Sequence, residues 1–176
     1  MVADPSIAPD RDNNSVPDDP RALDALSYLP GTDGGDELGG SGAGTLVDGR
    51  KGPDQLFGTP FRDYVAGKEG DDLLYGHGGL DELEGDPGAD IYAFQPDGGP
   101  ELVLDFAPGE GDRLFVEGGR DQVEAVKVDA YTTQFRLDGA NAVTVLGLKP
   151  SAVDANPDSV FTVSDAGTPR SPRGCT

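Results

Sequence analysis

Apolar side chains recur at every ninth residue through the first half of the chain, with polar residues and glycine between them. From residue 38 onward this column consists of Leu38, Val47, Leu56, Val65, Leu74, Leu83 and Tyr92. Self-similarity at a fixed period is the signature of a repeat architecture, in which stacked units share one continuous core. The pattern therefore predicts an array of short strands, each of which contributes one side chain to that core.

Glycine and aspartate follow the same period of nine residues. Glycine opens the units at positions 31, 40, 49, 58, 67, 76 and 85, without a single insertion. The fourth position holds Gly34, Ala43, Gly52, Phe61, Gly70, Gly79 and Gly88. The sixth position holds Asp36, Thr45, Asp54, Asp63, Asp72, Asp81 and Asp90. We therefore assign residues 31–93 to seven nine-residue repeats.

The remainder of the chain divides into four further segments. Residues 1–18 have almost no bulky apolar side chains, which predicts a disordered acidic leader. Residues 19–30 are expected to form a short helical N-terminal cap, because Asp19 and Pro20 suit the start of a helix that runs to residue 28. Residues 94–164 contain β-rich runs with a period of two and predict an antiparallel β cap continuous with the repeats. Residues 165–176 are expected to be a flexible tail.

Two segments of the array resemble a known repeat. Residues 67–75 and 76–84 look like the GGxGxDxUx nonapeptide of repeats-in-toxin (RTX) proteins. Residues 85–94 resemble the usual last repeat of such blocks, and residues 105–106 with 111–114 resemble the segment that follows. The resemblance implies an all-β fold, a right-handed parallel β-roll that holds Ca²⁺ in its turns.

In a repeat of this kind six residues form a turn and three form a strand, so that two repeats complete one coil. Residues eighteen apart then stack on each other at the spacing of neighbouring strands, about 4.8 Å. Two carboxylates at that distance oppose winding unless a cation lies between them. Calcium suits such a gap, because it accepts six to eight oxygen ligands in adaptable geometry, and glycine allows backbone carbonyls to converge on it.

The stacking rule divides the sixth position into two columns. The first column contains Asp36, Asp54, Asp72 and Asp90, and the second contains Thr45, Asp63 and Asp81. We expect four calcium ions in the roll, three in the gaps of the first column and one between Asp63 and Asp81. The glycines expected to contribute carbonyl ligands are Gly34, Gly52, Gly70, Gly79 and Gly88. The resemblance further implies that Asp105 and Asp112 complete another site where the roll meets the cap.

Composition and the absence of certain motifs narrow the possible partners and functions of the chain. Thirty-three acidic residues against thirteen Lys and Arg give a net charge of −20, which disfavours nucleic acid as a partner. Cys175 is the only cysteine, which leaves no internal disulfide, and no apolar run is long enough to span a bilayer. The sequence contains no EF-hand loop and no nucleophile motif, so we do not expect an enzyme. A disordered polyanion and a calcium-free solenoid stay as alternatives.

Two functions are compatible with these observations. The first is calcium binding that drives the folding of an extracellular module or small secreted protein, which the resemblance to substrates of type I secretion implies. The second is an accessory module that binds an alginate-like polysaccharide, because similar rolls are joined to alginate-modifying epimerases. Calcium is the expected cofactor in both cases.

Overall fold

The computed structural model describes residues 26–95, 98–116, 123–137, 141–155 and 160–162. These residues form fourteen strands and one short helix. In chain order the strands are β1 Ser27–Pro30, β2 Glu37–Gly39, β3 Thr45–Asp48, β4 Gln55–Phe57, β5 Tyr64–Ala66, β6 Leu73–Tyr75, β7 Asp81–Glu84, β8 Ile91–Phe94, β9 Glu101–Val103, β10 Arg113–Val116, β11 Val123–Lys127, β12 Thr132–Leu137, β13 Asn141–Leu146 and β14 Phe161–Thr162. The helix α1, Pro150–Ala155, lies between β13 and β14.

The chain alternates between two sheets, so each coil contributes one strand to each sheet. The first sheet has the order β1-β3-β5-β7-β9-β13-β12-β11, and the second has the order β14-β10-β8-β6-β4-β2. Within the repeats all neighbouring strands are parallel and the partners are eighteen residues apart, as in Val47 with Val65 and Leu56 with Leu74. The prediction that each repeat stacks on the second repeat after it is confirmed.

The eighth position of the repeat forms the core between the two sheets. Six consecutive members of this column have no exposed surface: Val47, Leu56, Val65, Leu74, Leu83 and Tyr92. Leu38, at the first predicted repeat, is only partly buried because fewer coils cover it. The core therefore forms as predicted, one apolar side chain for each nine residues.

The first coil begins earlier than expected. Residues Ser27–Pro30 form a strand that pairs in parallel with β3, so the predicted helix is wrong at residues 27 and 28. Leu29 lies nine residues before Leu38 and packs against the core, so burial of this side chain favours the strand. Residues 19–25 of the expected helical cap lie outside the described residues, as do the expected leader 1–18 and the expected tail 165–176.

The prediction that the whole segment 94–164 is an antiparallel cap is wrong in part. β9 and β10 add parallel strands to the two sheets, and β14 pairs in parallel with β10. Only β11, β12 and β13 form an antiparallel meander, which joins the roll through a parallel pairing of β13 with β9. The turns before β9 and β10 are longer than a repeat allows, yet Val103 still stacks on Leu83 and Leu114 on Tyr92. The apolar core therefore continues where the strict period of nine has ended.

The helix α1 was not predicted. Pro150 occupies its first position, where the fixed φ of proline favours a helix and the missing N–H costs nothing. Val153 anchors the helix in the core. No helix in the described part of the chain is long and apolar enough to cross a membrane.

The core column can be tested with a matched pair of leucines. Leu74 is fully buried, whereas the side chain of Leu80 is 62% exposed. Replacing Leu74 with Ala is expected to lower the free energy of unfolding by about 2–5 kcal/mol, because it opens a cavity in the core. Leu80→Ala is expected to change it by less than about 0.5 kcal/mol. Urea unfolding in saturating calcium measures both, and equal effects would contradict the inward placement of the eighth position.

Candidate metal centre

The sixth-position carboxylates link successive coils through the backbone. One carboxylate oxygen, Oδ1, accepts a hydrogen bond from the backbone N–H eighteen residues earlier. The Asp54 N–H donates to Asp72 at 2.8 Å, the Asp72 N–H to Asp90 at 2.9 Å and the Asp63 N–H to Asp81 at 2.9 Å. All of these side chains are buried, because each lies at the start of a strand inside the stack. Each carboxylate is therefore fixed in the gap between two turns.

The second carboxylate oxygen, Oδ2, has no partner in four of the turns. Within the described part of the chain, Oδ2 is buried without a hydrogen bond in Asp54, Asp72, Asp81 and Asp90. An ionised carboxylate away from water is costly unless a positive charge or hydrogen-bond donors compensate it. These four oxygens are the strongest indication that a positive charge belongs in the turns.

The space next to two of these oxygens, those of Asp54 and Asp72, is bordered by backbone carbonyls of the next coil. A side chain at Gly49 would place its Cβ 2.5 Å from Asp54 Oδ2 and 2.6 Å from the carbonyl oxygen of Gly67 in the next coil. The first-position glycine therefore leaves open a small space that oxygen atoms surround. Carboxylate and carbonyl oxygens are the ligands that Ca²⁺ prefers, so the residues present fit this ion.

Six of the seven repeats have one of two kinds of turn, which differ at the second position. In one kind this residue has a positive φ, and the members are Arg50 at 74°, Lys68 at 78°, His77 at 73° and Asp86 at 64°. These second-position residues belong to the same four repeats in which the aspartate Oδ2 has no partner. A positive φ is uncommon outside glycine, so its recurrence at this position marks a distinct turn conformation.

The other kind of turn has threonine at the second position. The N–H and Oγ1 of Thr32 donate to Asp36 Oδ2 at 2.7 and 2.9 Å. The N–H and Oγ1 of Thr59 donate to Asp63 Oδ2 at 2.6 and 2.9 Å. Threonine is β-branched and disfavours a positive φ, so it holds the turn in the conformation that makes these bonds. In these two turns the protein itself supplies donors to the carboxylate.

Burial changes the acidity of the unpartnered carboxyls. Burial first, and neighbouring carboxylates in addition, raise the pKa of Asp72 to about 6, of Asp90 to about 7 and of Asp81 to about 8. The shifts have the sign expected when a charged form loses its water without gaining a cation. A bound cation would reverse this effect, because it favours the ionised form.

The two columns continue beyond the repeats. The Asp90 N–H donates to Asp112 Oδ1 at 3.0 Å, so Asp112 extends the first column by one coil. Its other oxygen accepts from the Ala107 N–H at 2.7 Å. In the second column Glu101 stacks on Asp81, a position that sequence reasoning missed because the intervening turn is longer. The signal was Gly99, which precedes Glu101 by two residues, as the fourth-position glycine precedes the sixth-position aspartate.

Asp105 lies outside both columns. Its carboxylate accepts hydrogen bonds from the N–H of Gly85 at 3.1 Å, from the N–H of Asp86 at 2.7 Å and from the Tyr92 hydroxyl at 2.9 Å. Carboxylate oxygens of Glu84, Asp86 and Asp105 lie within 4.8 Å of one another. Whether Asp105 and Asp112 hold an ion together stays a prediction.

The expected glycine ligands lie in the turns, where the backbone of three of them has a positive φ. The φ is +101° at Gly52, +155° at Gly70 and +123° at Gly79, values that residues with a side chain rarely adopt. A Cβ at Gly52 would lie 2.7 Å from the carbonyl carbon of Gly34 in the preceding coil. Gly34, Gly70 and Gly88 occupy the same fourth position, and a Cβ at Gly88 would overlap the Gly70 carbonyl oxygen. Whether their carbonyls bind a metal ion stays a prediction.

Residues 57–92 match the family model of the RTX calcium-binding nonapeptide repeat, in four copies. These residues are RTX-type repeats. The match runs from the last residue of β4 into β8 and includes Asp63, Asp72, Asp81 and Asp90. The first three predicted repeats lie almost wholly outside it, and their assignment depends on the columns and on the observed register.

Two solved structures resemble this chain. One is the extracellular lipase LipA from Serratia marcescens, with a TM-score of 0.41 and 14% identity over 77% of this chain and 40% of the lipase. The other is the AlgE6R3 subunit of the Azotobacter vinelandii mannuronan C5-epimerase, with a TM-score of 0.38 and 22% identity over 85% of this chain and 97% of that subunit. This chain thus spans less than half of the lipase. A comparison with curated protein sequences finds no match.

Without metal, the stability of the RTX roll is expected to fall as pH rises. The pKa values of about 6, 7 and 8 for Asp72, Asp90 and Asp81 exceed that of an unfolded carboxyl, about 3.9. The folded chain therefore binds more protons, and its extra stability is complete below about pH 4 and is lost as pH rises to about 8. Circular dichroism in metal-free buffer measures this trend.

The control for this prediction separates the buried carboxyls from net charge. Asp81→Asn should flatten the upper part of the pH profile, because the highest of these three pKa values is then absent. Asp33→Asn removes the same charge from an exposed residue and should leave the shape unchanged. A metal-free stability that increases with pH between about 5 and about 8 would contradict the assignment.

Proposed function

We propose that this chain is a calcium-dependent folding module, which is largely unfolded without calcium and winds into its roll when the ion binds. The observation that carries the proposal is the set of buried, unpartnered carboxylate oxygens on Asp54, Asp72, Asp81 and Asp90. Calcium bound only by the wound chain adds its binding free energy to folding. The RTX repeats support the choice of calcium as the ion.

The geometry favours particular gaps between coils. The unpartnered Oδ2 atoms of Asp54, Asp72 and Asp90 favour the gaps from Asp54 to Asp72, from Asp72 to Asp90 and from Asp90 to Asp112. The carbonyl oxygens of the next coil do not distinguish the gaps, because Gly67 O lies beside Asp54 Oδ2 and Gly76 O lies beside Asp63 Oδ2 in the same way. In the gaps from Asp36 to Asp54 and from Asp63 to Asp81, the carboxylates of Asp36 and Asp63 already accept hydrogen bonds from threonine. We therefore assign calcium to three gaps of the first column and assign none to the gap between Asp63 and Asp81.

Calcium-driven folding can be tested directly by far-ultraviolet circular dichroism. The chelated protein is expected to be mainly coil at neutral pH and to become β-rich at roughly 0.1–1 mM Ca²⁺, the range of extracellular modules. Magnesium is the control ion, and it should substitute poorly because it requires strict octahedral geometry and releases water reluctantly. Identical spectra with chelator and with calcium would overturn the proposed function.

The role of the second position can be tested by exchanging the two kinds of turn. Thr59→Gly removes the hydroxyl donor and permits a positive φ, so the gap above Asp63 should gain one calcium ion. Arg50→Thr should impose the capped conformation on the turn of Asp54 and remove one ion. Native mass spectrometry counts the bound ions in both variants, with Ser41→Gly as a control in the repeat that lacks a sixth-position aspartate. Unchanged counts in both exchanges would contradict the distinction between the turns.

Calcium-driven folding also suggests where the protein acts. We infer that it is an extracellular module, since millimolar calcium outside the cell would complete the folding that low calcium inside the cell prevents. Export through type I secretion and the binding of an alginate-like polysaccharide stay predictions. Glycan binding measured with and without calcium distinguishes the polysaccharide function from folding alone.

A further inference from the structure

Glu101 is a buried acid for which the repeat pattern gives no reason. It lies at the start of β9 and is only 3% exposed. Both of its carboxylate oxygens lack a hydrogen-bond partner among the residues that the structure describes. A buried carboxylate with two unpartnered oxygens is highly unfavourable by itself, so the fold must compensate it in another way.

The register places Glu101 directly over Asp81. The two residues are Cα partners in the parallel pairing of β7 with β9, and Asp81 is only 1% exposed. Asp81 Oδ2 is also unpartnered in the described structure. Three buried acidic oxygens therefore belong to one gap between coils, and they form the end of the second column.

The turn before Glu101 copies a repeat turn, although it is longer. Gly99 has a φ of +118° and stacks on Gly79, which has a φ of +123°. The Gly79 N–H donates to the carbonyl oxygen of Gly98 at 3.2 Å, so the two turns are in direct contact. The backbone that surrounds this gap thus resembles that of the repeats, with glutamate in place of aspartate.

We propose that Asp81 and Glu101 hold a divalent cation of the calcium type, at a site that β9 completes beyond the matched repeats. The proposal rests on the proposed function, because it assumes that calcium compensates buried carboxylates in this fold. The donors are hard oxygens, which excludes a preference for soft metals.

The site is reached from solvent through a cleft on the side of the roll. The cleft has a volume of about 780 Å³ and is lined by Asp81 and Glu101, by Phe61 and Leu80, and by Gln134 and Thr144 of the cap. Phe61 and Leu80 are 52% and 62% exposed, so they form its outer rim. A hydrated cation can therefore approach the two carboxylates, and strands β12 and β13 border the path.

The test compares Glu101→Gln with the wild-type protein and with Glu124→Gln, which removes the same charge from an exposed residue of β11. If a cation binds, Glu101→Gln has one calcium ion fewer by native mass spectrometry and a higher calcium midpoint for folding. If no cation binds, the variant keeps the full count and its midpoint falls, because an uncompensated buried charge has been removed. That second result would overturn the proposal, whereas Glu124→Gln should keep the full count in either case.

Glu101→Asp separates charge from packing. It keeps the carboxylate, so it should fold in calcium even where Glu101→Gln does not, and that pair of results supports the site. An aspartate variant that behaves like the glutamine variant would show a packing role and overturn the proposal. Failure of the proposed function itself is distinguishable, because the wild-type protein would then bind no calcium and fold equally well in chelator.

Discussion

The structure depends on how the charge of stacked, buried carboxylates is compensated. Parallel coils place a carboxylate in nearly every turn of two columns, at the spacing of neighbouring strands, and repulsion at that distance opposes winding. The Oδ1 atoms are compensated by backbone N–H groups of the preceding coil, which also fixes the register of the turns. What remains is one oxygen per turn, and the protein compensates it with threonine donors or leaves it for a cation.

The period of nine residues predicted the repeats and their core, and the resemblance to RTX repeats implied the coil of two repeats and its stacking rule. One apolar side chain per repeat, such as Val65 or Leu74, requires a strand of only three residues, and the position of glycine and aspartate defines the turn. The prediction was wrong where the period changes. Glu101 and Asp112 continue the columns after turns that are longer by two and four residues, and a strict period excludes them.

Two features could not be predicted from the repeat because they depend on local geometry. Thr32 and Thr59 occupy a position that varies freely in sequence, and their role is visible only in the hydrogen bonds to Asp36 and Asp63. Leu29 belongs to the apolar column, but its unit lacks the glycine and the aspartate, so the sequence favoured a helix there. In both cases burial or a local bond decides the conformation of the backbone, and composition does not.

Ion pairs on the outside of the roll do not remove the need for a cation. Lys51 contacts Glu69 at 2.9 Å and Lys68 contacts Asp86 at 2.8 Å, and both pairs join residues eighteen apart on adjacent coils. The Lys51–Glu69 pair is exposed and the Lys68–Asp86 pair is only partly buried, so solvent screens both pairs and each contributes little to stability. They favour the same stacking that the buried carboxylates oppose, yet they lie outside the gaps and leave the Oδ2 atoms unpartnered. With thirty-three acidic residues against thirteen Lys and Arg, the chain has few cations with which to compensate the columns, which favours the bound ion that we propose.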